Sequence, residues 1–284
     1  MKVRPTQGKA LSSEPMPDFE RPPVVEVALS IQFKELSKFQ TPYAGFLWEE
    51  FRGDYPKLDE KPPLPHLVET FPQQSQPQYT AHFGELPPPR RLVFITAHGG
   101  NLIQIQPDRF VHNWRKVRED EDYPRYENVR ELSLKQWAKF LEFAGKHDLG
   151  EVEPDQYEMT YVNHFAQGEG WNTLADAPQL IRDLAWEPEG RFLPVPEGIV
   201  FRMSFALARE CGRLHSTLRR AYRDIDGREV LILELTARGY PPNADPEDKG
   251  GMLDWFDLAH ETIVRGFVDL TTREAQEEHW GRTQ

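Results

Sequence analysis

The chain has 284 residues, 38% hydrophobic and 28% charged, with 34 basic against 46 acidic side chains and a formal net charge of −12. That charge disfavours nucleic-acid backbones and anionic membranes at long range, and no apolar run approaches the ~20 residues that cross a bilayer. A single cysteine, Cys211, excludes an intramolecular disulfide framework and a multi-cysteine zinc site, so one or two compact units of a cytoplasmic protein are expected.

Residues 1–21 have few large apolar side chains and read as a flexible lead-in, with order expected from Pro22. Residues 24–33 alternate, Val25, Val27, Leu29, Ile31 and Phe33 against Glu26, Ser30 and Gln32, as in a half-buried strand. Thr41 before Pro42 reads as a helix cap, with Phe46, Leu47 and Phe51 on one helical face. Residues 56–89 are rich in proline and glutamine and read as an extended, weakly packed surface insertion. Residues 91–97 and 101–106 flank His98-Gly99-Gly100 and should form a hairpin. Val129, Leu132, Trp137, Phe140, Leu141 and Ala144 then give residues 126–146 the spacing of an amphipathic helix.

The second part broadly repeats this order, with one extra strand and no obvious sequence identity. Residues 157–165 read as a strand, 172–184 as a helix capped by Asn172 or Thr173, and 199–209, 214–222 and 230–237 as three strands with turns at Cys211-Gly212 and Asp226-Gly227. A closing helix carries Met252, Trp255, Phe256, Ala259, Ile263 and Phe267 as one apolar stripe. The expected fold is α+β: duplicated β-α-β-β-α units, residues 22–150 and 151–284, forming a curved antiparallel sheet with helices on one face. Two separate domains are the alternative.

Charge is uneven. Residues 1–150 hold 20 basic and 21 acidic side chains, whereas residues 151–284 hold 14 and 25. Thirteen of those 14 are arginines, six of them between Arg202 and Arg223. Guanidinium offers a planar fork suited to carboxylate or phosphate.

Three groups of residues could carry chemistry. Gln104 and Gln106 share a strand face, so their amides could line a polar groove, with Trp114 or Tyr126 stacking a flat ligand and Arg115 gripping its anionic end. The competing reading has these aromatics anchoring helix to sheet. Asn163 and His164 end a strand and could position a carbonyl or shuttle a proton, or Asn163 could tie down a turn. Arg202, His215 and Arg219, with Glu234, could form an anion-binding surface or a solvated outer face. The sequence has no Walker-type phosphate loop, dinucleotide fingerprint, His-Glu-x-x-His or Gly-x-Ser-x-Gly, and its nine histidines are scattered, so neither cofactor nor metal is expected.

Pro22-Pro23-Val24-Val25-Glu26-Val27, Gln104-x-Gln106-x-Asp108-Arg109, Asn113-Trp114-Arg115, Tyr123-Pro124-x-Tyr126, Tyr161-Val162-Asn163 and the ending from His260 through Phe267 to Trp280-Gly281 resemble a sporadically distributed family of uncharacterised prokaryotic proteins. The resemblance runs from about Pro22 to Gly281. It implies a full-length prokaryotic module, supplies no catalytic residues, and through its patchy distribution points toward defence or toxin–antitoxin settings. The leading expectation is a non-enzymatic binding or protein-interaction module whose acidic second part meets a basic protein partner. The alternative is an enzyme or sensor for a small anionic ligand held by Arg115, Arg202 and Arg219.

Overall fold

The computed structural model describes residues 14–71, 90–186, 189–223, 226–240 and 249–284. Its strands are β1 (Val24–Phe33), β2 (Lys57–Lys61), β3 (Arg91–Ile95), β4 (Asn101–Gln106), β5 (Arg109–Arg115), β6 (Pro154–Ala166), β7 (Val200–Ala206), β8 (Gly212–Tyr222) and β9 (Glu229–Gly239). Four α-helices are α1 (Pro42–Phe51), α2 (Tyr126–Lys146), α3 (Lys249–Leu270) and α4 (Arg273–Glu278). The fold is α+β, an antiparallel nine-stranded sheet in the order β2-β3-β4-β5-β1-β6-β9-β8-β7 with a few helices. Among the described residues no helix is long and apolar enough to cross a membrane.

The chain divides into two compact units. A central unit comprises Val27–Met159 and Gly239–Trp255; a flanking unit comprises the residues up to Glu26, Thr160–Arg238 and Phe256–Gln284.

In the central unit the apolar positions of β1 have the expected burial, but the strand is not half-buried, because Ser30 and Gln32 on its other face are covered too. Val27, Leu29, Ile31 and Phe33 are buried, and Phe33 meets Trp137 and Phe140 of α2 at ring separations of 5.9 and 5.7 Å. Phe110 of β5 meets the same two rings at 5.4 and 5.8 Å. Gly99, in the left-handed region at φ 95°, turns β3 into β4 as the hairpin reading requires. Burying these aromatic side chains contributes about 1.5–3 kcal/mol each.

Several expectations change here. Residues 109–115 form a further strand, β5, which the sequence does not announce, because six of its seven residues are buried and alternation disappears when both faces are covered. The proline-rich insertion also contributes β2, so four strands rather than two lie between α1 and α2. Thr41 is already helical and makes no side-chain cap; Pro42 alone marks the start of α1. Phe46 is exposed and stacks on the His147 ring at 5.6 Å instead of joining Leu47 and Phe51 in the core.

In the flanking unit Tyr161 donates or accepts one hydrogen bond with His260 of α3 at 2.9 Å, and Phe165, Phe267 and Trp280 form an aromatic cluster. Helix α3 lies so near β8 that a methyl group on Gly266 would come within 2.6 Å of Leu214 Cδ2. The apolar stripe of α3 is buried at Phe256, Ala259, Ile263 and Phe267. Ordered packing begins before Pro22, since Phe19 meets Phe267 edge-on at 5.5 Å and bridges to Arg282. The predicted helix over 172–184 is only a 3₁₀ turn, Leu174–Gln179, opened by a Thr173–Asp176 capping box and interrupted by Pro178, which cannot donate the bond that would continue it.

The two end strands of the sheet differ in chemistry. All five residues of β2 are exposed and four are charged: Lys57, Asp59, Glu60 and Lys61. Strand β7 carries one charge, Arg202, beside Val200, Phe201, Met203 and Phe205.

Candidate functional site

The six residues singled out from sequence fall in the two units. In the central unit Trp114 is buried at the end of β5 with Tyr123 at 5.4 Å, and Arg115 Nε donates to the Gly99 carbonyl at 2.8 Å. Tyr126 is buried as the first residue of α2, under the Arg130 guanidinium. These contacts join the β3–β4 turn to the end of β5 and seat the helix.

In the flanking unit Asn163 is buried and donates to the Leu233 carbonyl at 3.1 Å, joining β6 to β9. The β7–β8 register sets Val200 opposite Arg219, Arg202 opposite Thr217 and Ser204 opposite His215. Opposed residues of an antiparallel pair share a face, so Arg202, His215 and Arg219 stand on one side of the hairpin. Ser204 Oγ and His215 Nδ1 lie 3.0 Å apart. The neighbourhood is electropositive: burial first, then the charges of Arg223 and Arg219, hold the His164 imidazole neutral and push its pKa down to about 4.

Strand β7 ends the sheet order. Leu207 N–H donates to Gly212 O at 2.9 Å, which places the hydrogen-bonded pairs at the odd-numbered residues of β7. Val200, Arg202, Ser204 and Ala206 therefore direct their main-chain N–H and C=O groups away from β8. Val200 is 65% exposed and Phe205 44%.

A second arrangement, in the central unit, is built from amides. Gln32 and Ser30 alternate with the apolar residues that face α2, and Arg109 alternates with Phe110, so all three point to the opposite face. Gln106 lies opposite Arg109 in the β4–β5 register. Residues 62–71 run across this face without regular secondary structure. Gln106 accepts from Leu64 N–H at 2.8 Å and donates to Leu64 O at 2.9 Å. Gln32 does the same for Leu67, at 3.0 and 2.9 Å. Gln156 of β6 accepts from Glu69 N–H at 2.6 Å. Arg109, 3% exposed, donates to Pro65 O at 2.7 Å and to Gln32 Oε1, with Glu158 at 3.8 Å. His66 sits between Asp108 and Asp155, 3.1 Å from each.

The polar groove expected at Gln104 and Gln106 is thus partly realised. Gln104 bonds to Asn113 at 2.7 Å, while Gln106 reaches residues 62–71. Gln32 is visible in the alternation of β1 and Arg109 in the Gln104-x-Gln106-x-Asp108-Arg109 block, whereas Gln156 stands just outside the strand read over residues 157–165. A glutamine in strand register beside buried apolar neighbours is the signal that would have found Gln156.

Among the described residues no cluster of three or more His, Cys, Asp or Glu side chains could hold a metal ion. No protein-family model matches the sequence, and no curated protein does. Among solved structures the chain is similar to Methanococcus jannaschii TBP, at 12% identity over 84% of this chain and 97% of that one, with a TM-score of 0.25, a likeness too slight to bear on fold or function.

Proposed function

We propose that the protein is a non-enzymatic protein-interaction module of the cytoplasm, in a bacterial defence or toxin–antitoxin setting, and that strand β7 is where it receives a partner. The observation that carries this reading is the edge of β7, open among the described residues. An end strand with outward N–H and C=O groups and a single charged side chain, Arg202, is a template for a further strand. Main-chain pairing supplies the affinity there, while the −12 net charge governs encounter and favours a basic protein. Of the acidic residues grouped before the last helix, Asp245, Glu247 and Asp248 lie outside the described residues; Asp254 and Asp257 are exposed on α3.

Ser204→Pro tests the reading. Proline removes an outward N–H without touching the ladder to β8. Tagged wild-type and variant proteins of equal melting temperature are compared for associated proteins by mass spectrometry. Loss of a partner from the variant is expected; equal recovery overturns the edge as the site.

A second reading is favoured by the shared face of Arg202, His215 and Arg219: a small anionic ligand bound by the two guanidinium forks. Calorimetry with inorganic phosphate should then give weaker binding in Arg219→Ala, and unchanged heats in both arginine variants would remove it.

The same reading includes an internal duplication with helices on one face of a curved sheet. The strand order supports it, since β3-β4-β5-β1 and β7-β8-β9-β6 are equivalent sequences of elements, each formed by a first strand, a short helical turn, three strands and a long helix. The repeat is then β-α-β-β-β-α, one strand longer than the sequence suggests, with β2 added in the first copy.

A further inference from the structure

Residues 62–71 are held in an unusual way. A connection that folds to complete a core buries its apolar side chains, yet Pro62, Pro63, Pro65 and Val68 are exposed and Leu64 and Leu67 are only half-buried. Apart from the His66 ring between Asp108 and Asp155, the contacts that fix the segment are made by its main chain. Two glutamines each supply a donor and an acceptor to one peptide residue, at Leu64 and Leu67, a third takes the Glu69 N–H, and Arg109 takes the Pro65 carbonyl. A side-chain amide carries both halves of a peptide group's hydrogen-bonding complement, so such a row reads an extended backbone and is indifferent to most side chains.

The face also has polar capacity that the segment leaves unused. Among the described residues the buried hydroxyl of Ser30, 3% exposed and two residues from Gln32, has no hydrogen-bond partner, and neither has Asp155 Oδ1. Buried polar atoms of this kind ordinarily find partners. Proline at 62, 63 and 65 presets the extended conformation, which lowers the ordering cost of lying along the row.

We propose that this face of the central unit is a main-chain-reading groove for an extended, proline-containing polypeptide of a partner protein, and that residues 62–71 occupy it as an internal stand-in. The site is separate from β7 and goes beyond the interaction assigned to that edge. A partner segment enters by displacing the tethered one. Tethering gives the internal segment a high effective concentration, so a free peptide competes poorly until the internal contacts are weakened.

The experiment uses the full chain and a fluorescent synthetic peptide with the sequence of residues 61–71. In the double variant Leu64→Pro/Leu67→Pro the internal segment loses the two N–H groups that bond Gln106 and Gln32, while the groove residues stay intact. The peptide should bind this variant about tenfold or more tighter than wild type by fluorescence anisotropy. Peptides with alanine at the two leucines should retain that affinity; peptides N-methylated at the same two residues should lose about tenfold. Adding Gln32→Ala and Gln106→Ala to the variant should abolish binding. No gain over wild type, or equal binding by the N-methylated peptide, overturns the proposal. So does concentration-dependent dimerisation of the double variant without peptide binding, which assigns the groove to a second copy. Should the double variant fail to fold, amide exchange in the wild-type protein decides. The Leu64 and Leu67 amides must then exchange at least tenfold faster than those of Ile103 and Ile105, and comparable protection overturns the claim that the segment opens.

Discussion

Two sets of polar side chains, one in each unit, have opposite fates. In the central unit Gln32, Gln106, Gln156 and Arg109 lie beneath main chain, whereas in the flanking unit Arg202 and Arg219 stand exposed on the β7–β8 hairpin. The difference follows from what each group offers. An amide matches a peptide unit with a donor and an acceptor and carries no charge, so covering it leaves little unsatisfied. A guanidinium brings only donors and a charge, and is buried at tolerable cost only beside acceptors and a carboxylate. Arg109 has these in Gln32, Pro65 and Glu158; for Arg202 and Arg219 solvent serves instead.

Removing Arg109 should therefore have the largest effect. Arg109→Ala removes the buried cation beside Glu158 and the donor to Gln32 Oε1 and Pro65 O, and should lower stability by about 3–5 kcal/mol in urea unfolding. Arg202→Ala should stay within about 0.5 kcal/mol. Similar losses from the two would break the contrast.

Acid sharpens it next. His112 of β5 is fully buried, neither ring nitrogen has a partner among the described residues, and burial pushes its pKa down to about 4. The unfolded chain takes up that proton near pH 6.5 while the folded chain does not, so stability is intact above pH 6.5 and falls as pH drops toward 4, by about 3 kcal/mol. A His112→Leu variant should lose this part of the pH profile. His164 is also held down, but partly by arginine charge, so Arg219→Ala should raise its pKa by NMR titration and leave His112 unmoved.

The glutamines should give a smaller effect. Gln106→Ala leaves the Leu64 peptide groups to water, since the segment is largely exposed, and should cost about 1 kcal/mol. Its clearer signature is faster amide exchange at Leu64 with little change in the melting temperature. A loss above about 3 kcal/mol would mean residues 62–71 belong to the core rather than lying on it.

Much of this was legible in the chain, and the gaps have physical causes. Helix α2 and the stripe of α3 each bury one face, and β1 sets apolar residues on one face against Ser30 and Gln32 on the other, so their periods of 3.6 and 2 survive in the sequence. Strand β5 buries both faces and shows no period. The Gln104-x-Gln106 pattern announces a polar face, but what lies on Gln106 is 42 residues away in sequence, in a proline-rich stretch whose positions are fixed by hydrogen bonds to its backbone. Backbone contacts leave no mark on residue identity. For the same reason Arg202, His215 and Arg219 could be assigned to one face from alternation and a turn, while Arg109, whose partners include a main-chain carbonyl of Pro65, could not be paired.

Growth of a sheet along its hydrogen-bonding direction needs an accepting edge at each end, and here the ends are unlike. Lys57, Asp59, Glu60 and Lys61 line β2, where every added strand would have to accommodate four charges. Two molecules joined edge to edge through β7 would consume the open end of each and present only β2 outward. Such assembly terminates at a closed pair related by twofold symmetry instead of propagating as a fibre. In such a pair the charges of β2 would act as a chain terminator.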